Sequence, residues 1–517
     1  MKANKNNKRK SYRTGVVITS LAMMLVLLMI IMNSFSKLSN KGNYDNSFYQ
    51  ELKNYVDTAA IFVPHADDEI YVAGALLYGL NKVNIKTYVV YFTDSNSFGF
   101  GERRKREAIS SCQIFGVAKE HIIFLNFPER RQSDVSDITG SSSQEARLQM
   151  KKIIKNTILS ISPQLIVCSD FDFNRDHRLY SLLFDECIGE LAKENKISNV
   201  IIWKGFAYQT AYNAPNDFYS LNLCSTVKPI DLQNKNYDTD VPSYEWEARL
   251  RIPVHKDLLT HNIFSNPIYK ASSKHWTSIL YLKALNAINS DEIFWQRRVD
   301  NLAFRAKFKV SSGDARYLND FKLFDVKDIT INRKYNVEYF DCFWTPKDQE
   351  KIIYVQFNSH ENIDYIVLYD NPDLSSNILR GRIDFDDRSY IYTGELKKNG
   401  APTEIPIHKS GVTSFSFKIT DYEGASPGLA EFEIYSDEIR FPTILKLKTI
   451  NNDMFIYKYF ITPGENKVPL AIYQYPKAST NYIISIKDPD KSHASLENDS
   501  LVIKKGFARC LITVKAN

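Results

Sequence analysis

The stretch "VPHADDEIYVAGALL", Val63–Leu77, decides how the first half of this chain is read. It follows directly on an apolar run, "AAIFV" (Ala59–Val63), and passes into a helical pattern over Glu69–Leu80. A strand that turns at once into a helix is the repeating unit of a parallel α/β sheet. The turn carries His65, Asp67, Asp68 and Glu69. Acids in a first helical turn complement the helix dipole, which assigns Glu69 a capping role. A histidine three positions before an aspartate on one tight turn also aims two donor atoms at one point, as a metal ion requires.

Further along the chain, apolar runs alternate with amphipathic ones. Strands are expected at Ala59–Val63, Thr87–Phe92, His121–Phe127, Gln164–Cys168 and Asn199–Trp203. Helices are expected at Glu69–Leu80, Glu102–Phe115, Gln144–Ser160 and Tyr180–Glu194. This alternation predicts a Rossmann-like, mainly parallel sheet covered on both faces, and such sheets bind ligands at the carboxyl ends of their strands. The "PHADDE" turn leaves the first strand at that end. A second cluster, "SDFDFNRDHRLY" (Ser169–Tyr180), leaves the fourth strand at the same end. Two His/Asp clusters more than a hundred residues apart in sequence thus share one rim.

Hydrolytic zinc sites take three protein ligands of His, Asp or Glu type and keep one position for water. His65 and Asp68 supply two, and His177 from the second cluster completes the set. Asp67, aimed differently from its neighbour, is then available as a general base toward water. Asp176, next to His177, is expected either to orient that ligand as a supporting carboxylate or to face solvent.

These residues carry a resemblance. "PHADDE" resembles the [AP]-H-[PA]-D-D-E signature of the PIG-L/LmbE-like N-acetylglucosaminyl deacetylases, and "NRDH" falls where that family has its H-x-D-H segment. "FTDS" after the second strand and "ERRKREAISSCQIFGV" after it are similar to further family segments, so the resemblance covers about residues 58–298. It implies one Zn2+ held by His65, Asp68 and His177, and Asp67 as base in the hydrolysis of an N-acetyl group from an amino sugar. The first histidine of the family's H-x-D-H segment is Asn174 here; its amide can donate to a developing oxyanion but cannot act as a proton donor. The resemblance also places a substrate-contacting arginine near Arg104. Glu129 and Arg130, in "FPERRQSD" at the same rim, are candidates for contacts to sugar hydroxyls.

After about residue 298 the texture changes to short β-type runs such as "KIIYVQF", "IDYIVLYD" and "VTSFSFKIT", separated by turn signals. This pattern predicts a β-sandwich, and it resembles the galactose-binding-like jelly roll of discoidin type over residues 299–438. Residues 439–517 are expected to form a small Ig-like β domain.

At 517 residues the chain is long enough for several domains. Its 44% hydrophobic and 13% aromatic content argues for folded ones. The formal charge of +6 resides in Lys2, Lys5, Lys8, Arg9, Lys10 and Arg13; without them the chain carries 60 charges of each sign. Nothing in that balance favours nucleic acid. The basic residues 1–14 precede "GVVITSLAMMLVLLMIIM" (Gly15–Met32), an uncharged run of bilayer-spanning length. Residues 15–35 are therefore expected to be a transmembrane anchor, with a cleaved signal peptide as the competing reading, and residues 36–57 a linker. The positive-inside bias puts the basic tail in the cytoplasm and the remainder outside the cell membrane. Six cysteines show no metal spacing, and Cys112, Cys168 and Cys187 sit in apolar patterns expected to be buried.

Together these observations predict a membrane-anchored, zinc-dependent deacetylase acting on an N-acetylated amino-sugar glycan. The alternatives are an amidase of another N-acyl or thiol-sugar conjugate, and a catalytically degenerate glycan-binding protein.

Overall fold

The computed structural model describes residues 47–436, apart from short gaps and the segments 130–140, 208–249, 279–291 and 324–342, and beyond these only strands between Thr443 and Ala516. The apolar segment Gly15–Met32, Arg130, Cys224, Cys342 and Cys510 lie outside the described residues. No helix among the described residues is long and apolar enough to cross a membrane.

The first domain is a seven-stranded sheet. Its elements run α1 (Ser47–Lys53), β1 (Thr58–Val63), α2 (Asp68–Lys82), β2 (Lys86–Thr93), α3 (Gly101–Ile114), β3 (Ile122–Phe127), α4 (Ser141–Ile161), β4 (Leu165–Ser169), α5 (Arg175–Lys193) and β5 (Ile201–Gly205). Then follow β6 (Leu250–Ile252), α6 (Pro267–Ser272) and β7 (Glu292–Arg298). The strand order is β3-β2-β1-β4-β5-β7-β6, parallel through β5 and antiparallel at β5–β7 and β6–β7. The order reverses direction between β1 and β4, the pair of strands that deliver the two His/Asp clusters. Each of the five sequence-predicted strands is present with ends shifted by one or two residues. The antiparallel β6 and β7 were not expected.

Strand alternation explains why both faces of the sheet are covered. Ala59, Ile61 and Val63 of β1 point into one core with α2 and α3, while Ala60 and Phe62 point into a second core with α4 and α5. Gly79 on α2 lets α1 approach closely: a Cβ there would lie 2.1 Å from the Tyr49 ring. Cys112, Cys168 and Cys187 are buried free thiols, as expected of them.

The second domain is antiparallel. Strands β8 (Lys307–Val310), β9 (Ile352–Asp370), β10 (Asn377–Phe385), β11 (Tyr390–Tyr392), β12 (Pro402–Glu423) and β13 (Leu429–Tyr435) form one sheet, ordered β11-β10-β12-β9-β13 with β8 beside β9. It packs on the first domain through α5: Phe304, Phe321, Tyr365, Tyr369 and Tyr435 share a core with Leu179, Leu183 and Ile188. Gly189 on α5 makes the contact possible, because a Cβ there would lie 2.3 Å from the Asp320 carbonyl oxygen. Buried Arg297 on β7 adds an ion pair to Glu433 at 3.5 Å. Between Thr443 and Ala516 the described strands form a four-stranded and a three-stranded sheet.

Candidate metal centre

The site is assembled at the carboxyl ends of β1, β2, β3 and β4. The turn after β1 is fastened to the end of β2, since Thr93 N donates to the Pro64 carbonyl at 3.0 Å and Ala66 N donates to Ser95 Oγ at 2.9 Å. Asp68 folds back to accept from His65 N at 2.8 Å. That contact fixes the carboxylate against its own turn.

The partner is His177, in the first turn of α5 and fully buried. His65 Nδ1 lies 3.1 Å from Asp68 Oδ2, His177 Nε2 lies 3.1 Å from the same oxygen, and the two ring nitrogens are 3.3 Å apart. Donors on adjacent corners of a tetrahedral zinc with bonds of about 2.0–2.2 Å would be about 3.3–3.6 Å apart. Two imidazole nitrogens and one carboxylate oxygen in so small a triangle therefore fit a zinc-sized cation.

The other nitrogen of His65 faces a second pair of acids. Its Nε2 lies 3.0 Å from Asp176 Oδ2 and 3.9 Å from Glu129 Oε1. Asp176 is thus buried and serves His65, not the adjacent His177 that it was expected to orient. The reason is helical geometry: consecutive residues point about 100° apart around an α-helix, so neighbours on α5 meet different partners. An Nε2–H donated to Asp176 leaves the Nδ1 lone pair for the triangle, the usual role of a carboxylate behind a ligating imidazole. Burial disfavours the His65 imidazolium, but the hydrogen bonds to Asp176 and Asp68 outweigh it and raise the ring well above its ordinary value. Burial likewise works to raise Asp68, and His177 with His65 overcomes it, holding that carboxyl well below its ordinary range.

Asp67 is not among the three groups that meet at the triangle, and Arg104 on α3 reaches it at 3.3 Å. Arg104 also lies 3.6 Å from Glu129 Oε2, so it bridges two acids of the rim. Asn174 is the N-cap of α5, its Oδ1 accepting from Asp176 N at 2.9 Å.

Glu69 corrects the capping expectation. It is fully buried, accepts from Ser111 Oγ on α3 at 2.7 Å and meets His275 Nε2 at 2.8 Å. Two residues on, Thr277 Oγ1 and N donate to Glu107 of α3 at 2.5 and 3.2 Å. The segment after α6 therefore clamps α2 to α3 and holds Asp67 and Arg104 in register. Sequence reading missed His275 and Thr277, which sit about two hundred residues downstream in no distinctive pattern.

Residues 60–188 match the family described as GlcNAc-PI de-N-acetylase, PIG-L.

Residues 301–435 match DUF7402, a domain of unknown function. Among solved structures the chain is similar to N,N'-diacetylchitobiose deacetylase from Pyrococcus horikoshii, at 16% identity and a TM-score of 0.31 over 49% of this chain and 89% of that one. It is also similar to the A40926 pseudoaglycone deacetylase Dbv21, at 16% identity and a TM-score of 0.30 over 47% and 98%. A module produced by Clostridium perfringens, CpGH89CBM32-6, is similar at 17% identity and a TM-score of 0.19 over 26% of this chain and 98% of its own.

Proposed function

We propose that this chain is a zinc-dependent deacetylase that removes acetyl groups from N-acetylated amino sugars of a surface glycan. We further propose that residues 15–35 anchor it in the cell membrane, with residues 1–14 cytoplasmic and the catalytic domain outside. The observation that carries the catalytic reading is the meeting of His65, Asp68 and His177 at 3.1–3.3 Å beside a separate carboxylate, Asp67. The match of residues 60–188 to the GlcNAc-PI de-N-acetylase family supports the choice of substrate.

A zinc ion in the triangle supplies Lewis acidity toward the acyl oxygen and makes water at the site easier to deprotonate. The remaining work falls to the chain. Asp67 accepts the proton of the attacking water, held in place by the Arg104 guanidinium 3.3 Å away. As the C–N bond breaks, the same proton passes from Asp67 to the departing nitrogen, giving acetate and a free amino sugar. Arg104 and Glu129, tied to one another at 3.6 Å, stand at the rim for the sugar hydroxyls. Asn174 spends its Oδ1 on the helix cap, so donation to the developing oxyanion falls to its Nδ2.

The test compares two adjacent aspartates. Asp67→Asn should keep zinc and lose about 10²–10⁴-fold in acetate release, the ordinary worth of general-base assistance. Asp68→Asn, like His65→Ala and His177→Ala, should lose the metal itself. Equal zinc loss from Asp67→Asn and Asp68→Asn would mean that their roles are wrongly divided, and near-normal turnover by Asp67→Asn would remove the base.

A further inference from the structure

After α6 the chain makes a tight turn that carries one exposed indole. His275 N donates to the Ser272 carbonyl at 3.1 Å, Trp276 N to the Lys274 carbonyl at 3.0 Å and Ser278 N to the His275 carbonyl at 3.1 Å. The side chains on either side of Trp276 are tied to the helices of the first domain: buried His275 meets Glu69 at 2.8 Å, and Thr277 donates to Glu107. Just before the turn, Ile268 and Ala271 of α6 are buried in the core shared with α2 and α3. Trp276 itself is 76% exposed, the most exposed large hydrophobic side chain among the described residues. Of the other described tryptophans, Trp203, Trp295 and Trp344 are all buried.

A lone exposed apolar side chain is ordinary on a protein surface. This one is held rigidly beside the metal centre. Glu69, the partner of His275, follows directly on Asp68 of the triangle. Glu107, the partner of Thr277, lies about one helical turn from Arg104, and Arg104 reaches Asp67 at 3.3 Å. The second oxygen of the Glu107 carboxylate accepts from Arg103 Nε at 3.1 Å, so the turn and a half-exposed guanidinium share one buried anchor. A backbone pinned in this way loses little freedom when a ligand arrives, which is the usual cost of binding on a loop. A pyranose ring offers an apolar C–H face and an edge of hydroxyls; an indole matches the first and a guanidinium the second. Asp67, Arg104 and Glu129 occupy the ground next to the triangle, so Trp276, anchored one layer outside them, meets the sugar beyond the one that carries the reacting acetamide. The turn lies downstream of residues 60–188, which match the deacetylase family, so that resemblance assigns it no role.

We propose that Trp276, with Arg103, forms a subsite for the sugar next to the one that is deacetylated, so that the substrate is a linked chain of N-acetylated amino sugars and not the free monosaccharide. This rests on the deacetylase reading and names the substrate within it. Trp276 is a specificity-determining residue: it meets the chain away from the reacting atoms, in the ground state and the transition state alike. Its loss therefore acts on KM more than on kcat.

The experiment uses the full chain in detergent, supplied with zinc, and compares N-acetylglucosamine with tetra-N-acetylchitotetraose. Binding is read in Asp67→Asn, where turnover does not intervene, by acrylamide quenching of tryptophan fluorescence. The tetramer should shield the exposed indole from the quencher and the monosaccharide should not; Trp276→Phe in the same background should abolish the shielding. With Asp67 intact, Trp276→Ala should raise KM for the tetramer by about tenfold, the scale of one lost stacking contact. Its preference for tetramer over monosaccharide should fall by a similar factor, with zinc content and melting temperature retained. Trp276→Phe, which keeps an aromatic face, should recover most of that KM, and Arg103→Ala should raise it. A wild type that releases acetate from neither compound would remove the deacetylase reading, and the quenching result would still decide the subsite. Equal losses on both compounds in Trp276→Ala would overturn the subsite. So would absence of shielding by the tetramer, above all alongside a blue shift of the emission on phosphatidylglycerol vesicles, which would place the ring in a membrane surface instead.

Discussion

Glu186 on α5 offers a perturbation whose size follows from the structure. Its carboxylate is ion-paired to Arg147 and to Lys151 of α4, and at 3.3 Å to Lys322 in the connection to the β domain. One side chain therefore ties together α4, the helix that carries His177, and the interdomain connection. Burial would raise this carboxyl, but Arg147, Lys322 and Lys151 overcome burial and hold it at about 2. Against about 4.3 in an unfolded chain, that difference stabilises the folded form by roughly 3 kcal/mol at neutral pH. Because the folded value is the lower one, the contribution is complete above about pH 5 and is lost as pH falls toward 2, roughly half remaining at pH 3. Glu186→Gln should accordingly lower stability by up to roughly 3 kcal/mol at pH 7, a large share of the 5–15 kcal/mol typical of a folded domain. The deficit relative to wild type should shrink by about half at pH 3. Urea unfolding followed by tryptophan fluorescence at the two pH values measures it. A deficit of the same size at both would show that Glu186 acts through packing and not through its charge.

Further tests address the site, the packing and the topology. Asp176→Asn should weaken zinc binding by about 10–100-fold through loss of the charged support to His65, and competition against a metal-responsive dye reads this without turnover; unchanged affinity would leave Asp176 no such role. Gly189→Ala drives a Cβ to 2.3 Å from a backbone oxygen that cannot move independently, and should cost about 1–3 kcal/mol, seen as a lowered melting temperature with zinc stoichiometry retained. Protease added to intact cells should digest the residues after the apolar segment if the proposed orientation holds; their protection would reverse it.

How much of this was legible in the sequence depends on how local the physics is. The alternation of apolar runs with amphipathic ones is local, and it is enough to place β1–β5 and the helices between them. The "PHADDE" turn is local as well: Asp68 accepts from the backbone of His65 three residues away, so two donors of the triangle are set by one short segment. That His177 would join them followed from one topological rule, since β1 and β4 are neighbours and both clusters leave them at the same end.

Other features had no local signature. Which acid supports which histidine was settled by the rotation of α5 against β1, which turns Asp176 to His65 and away from its sequence neighbour. Glu69 looked like a capping residue because acids favour first helical turns; the tertiary fold buries it between Ser111 and His275 instead. The antiparallel β7 was missed because its pattern includes Arg297, a residue type that is buried only when a partner is supplied, and that partner is Glu433 in the other domain. Sequence by itself thus determined the five parallel strands, the turn and the candidate donor residues. Only the tertiary structure decided their second partners, because a buried charge is stable only beside a specific opposite charge, and the chain brings that charge from wherever the packing allows.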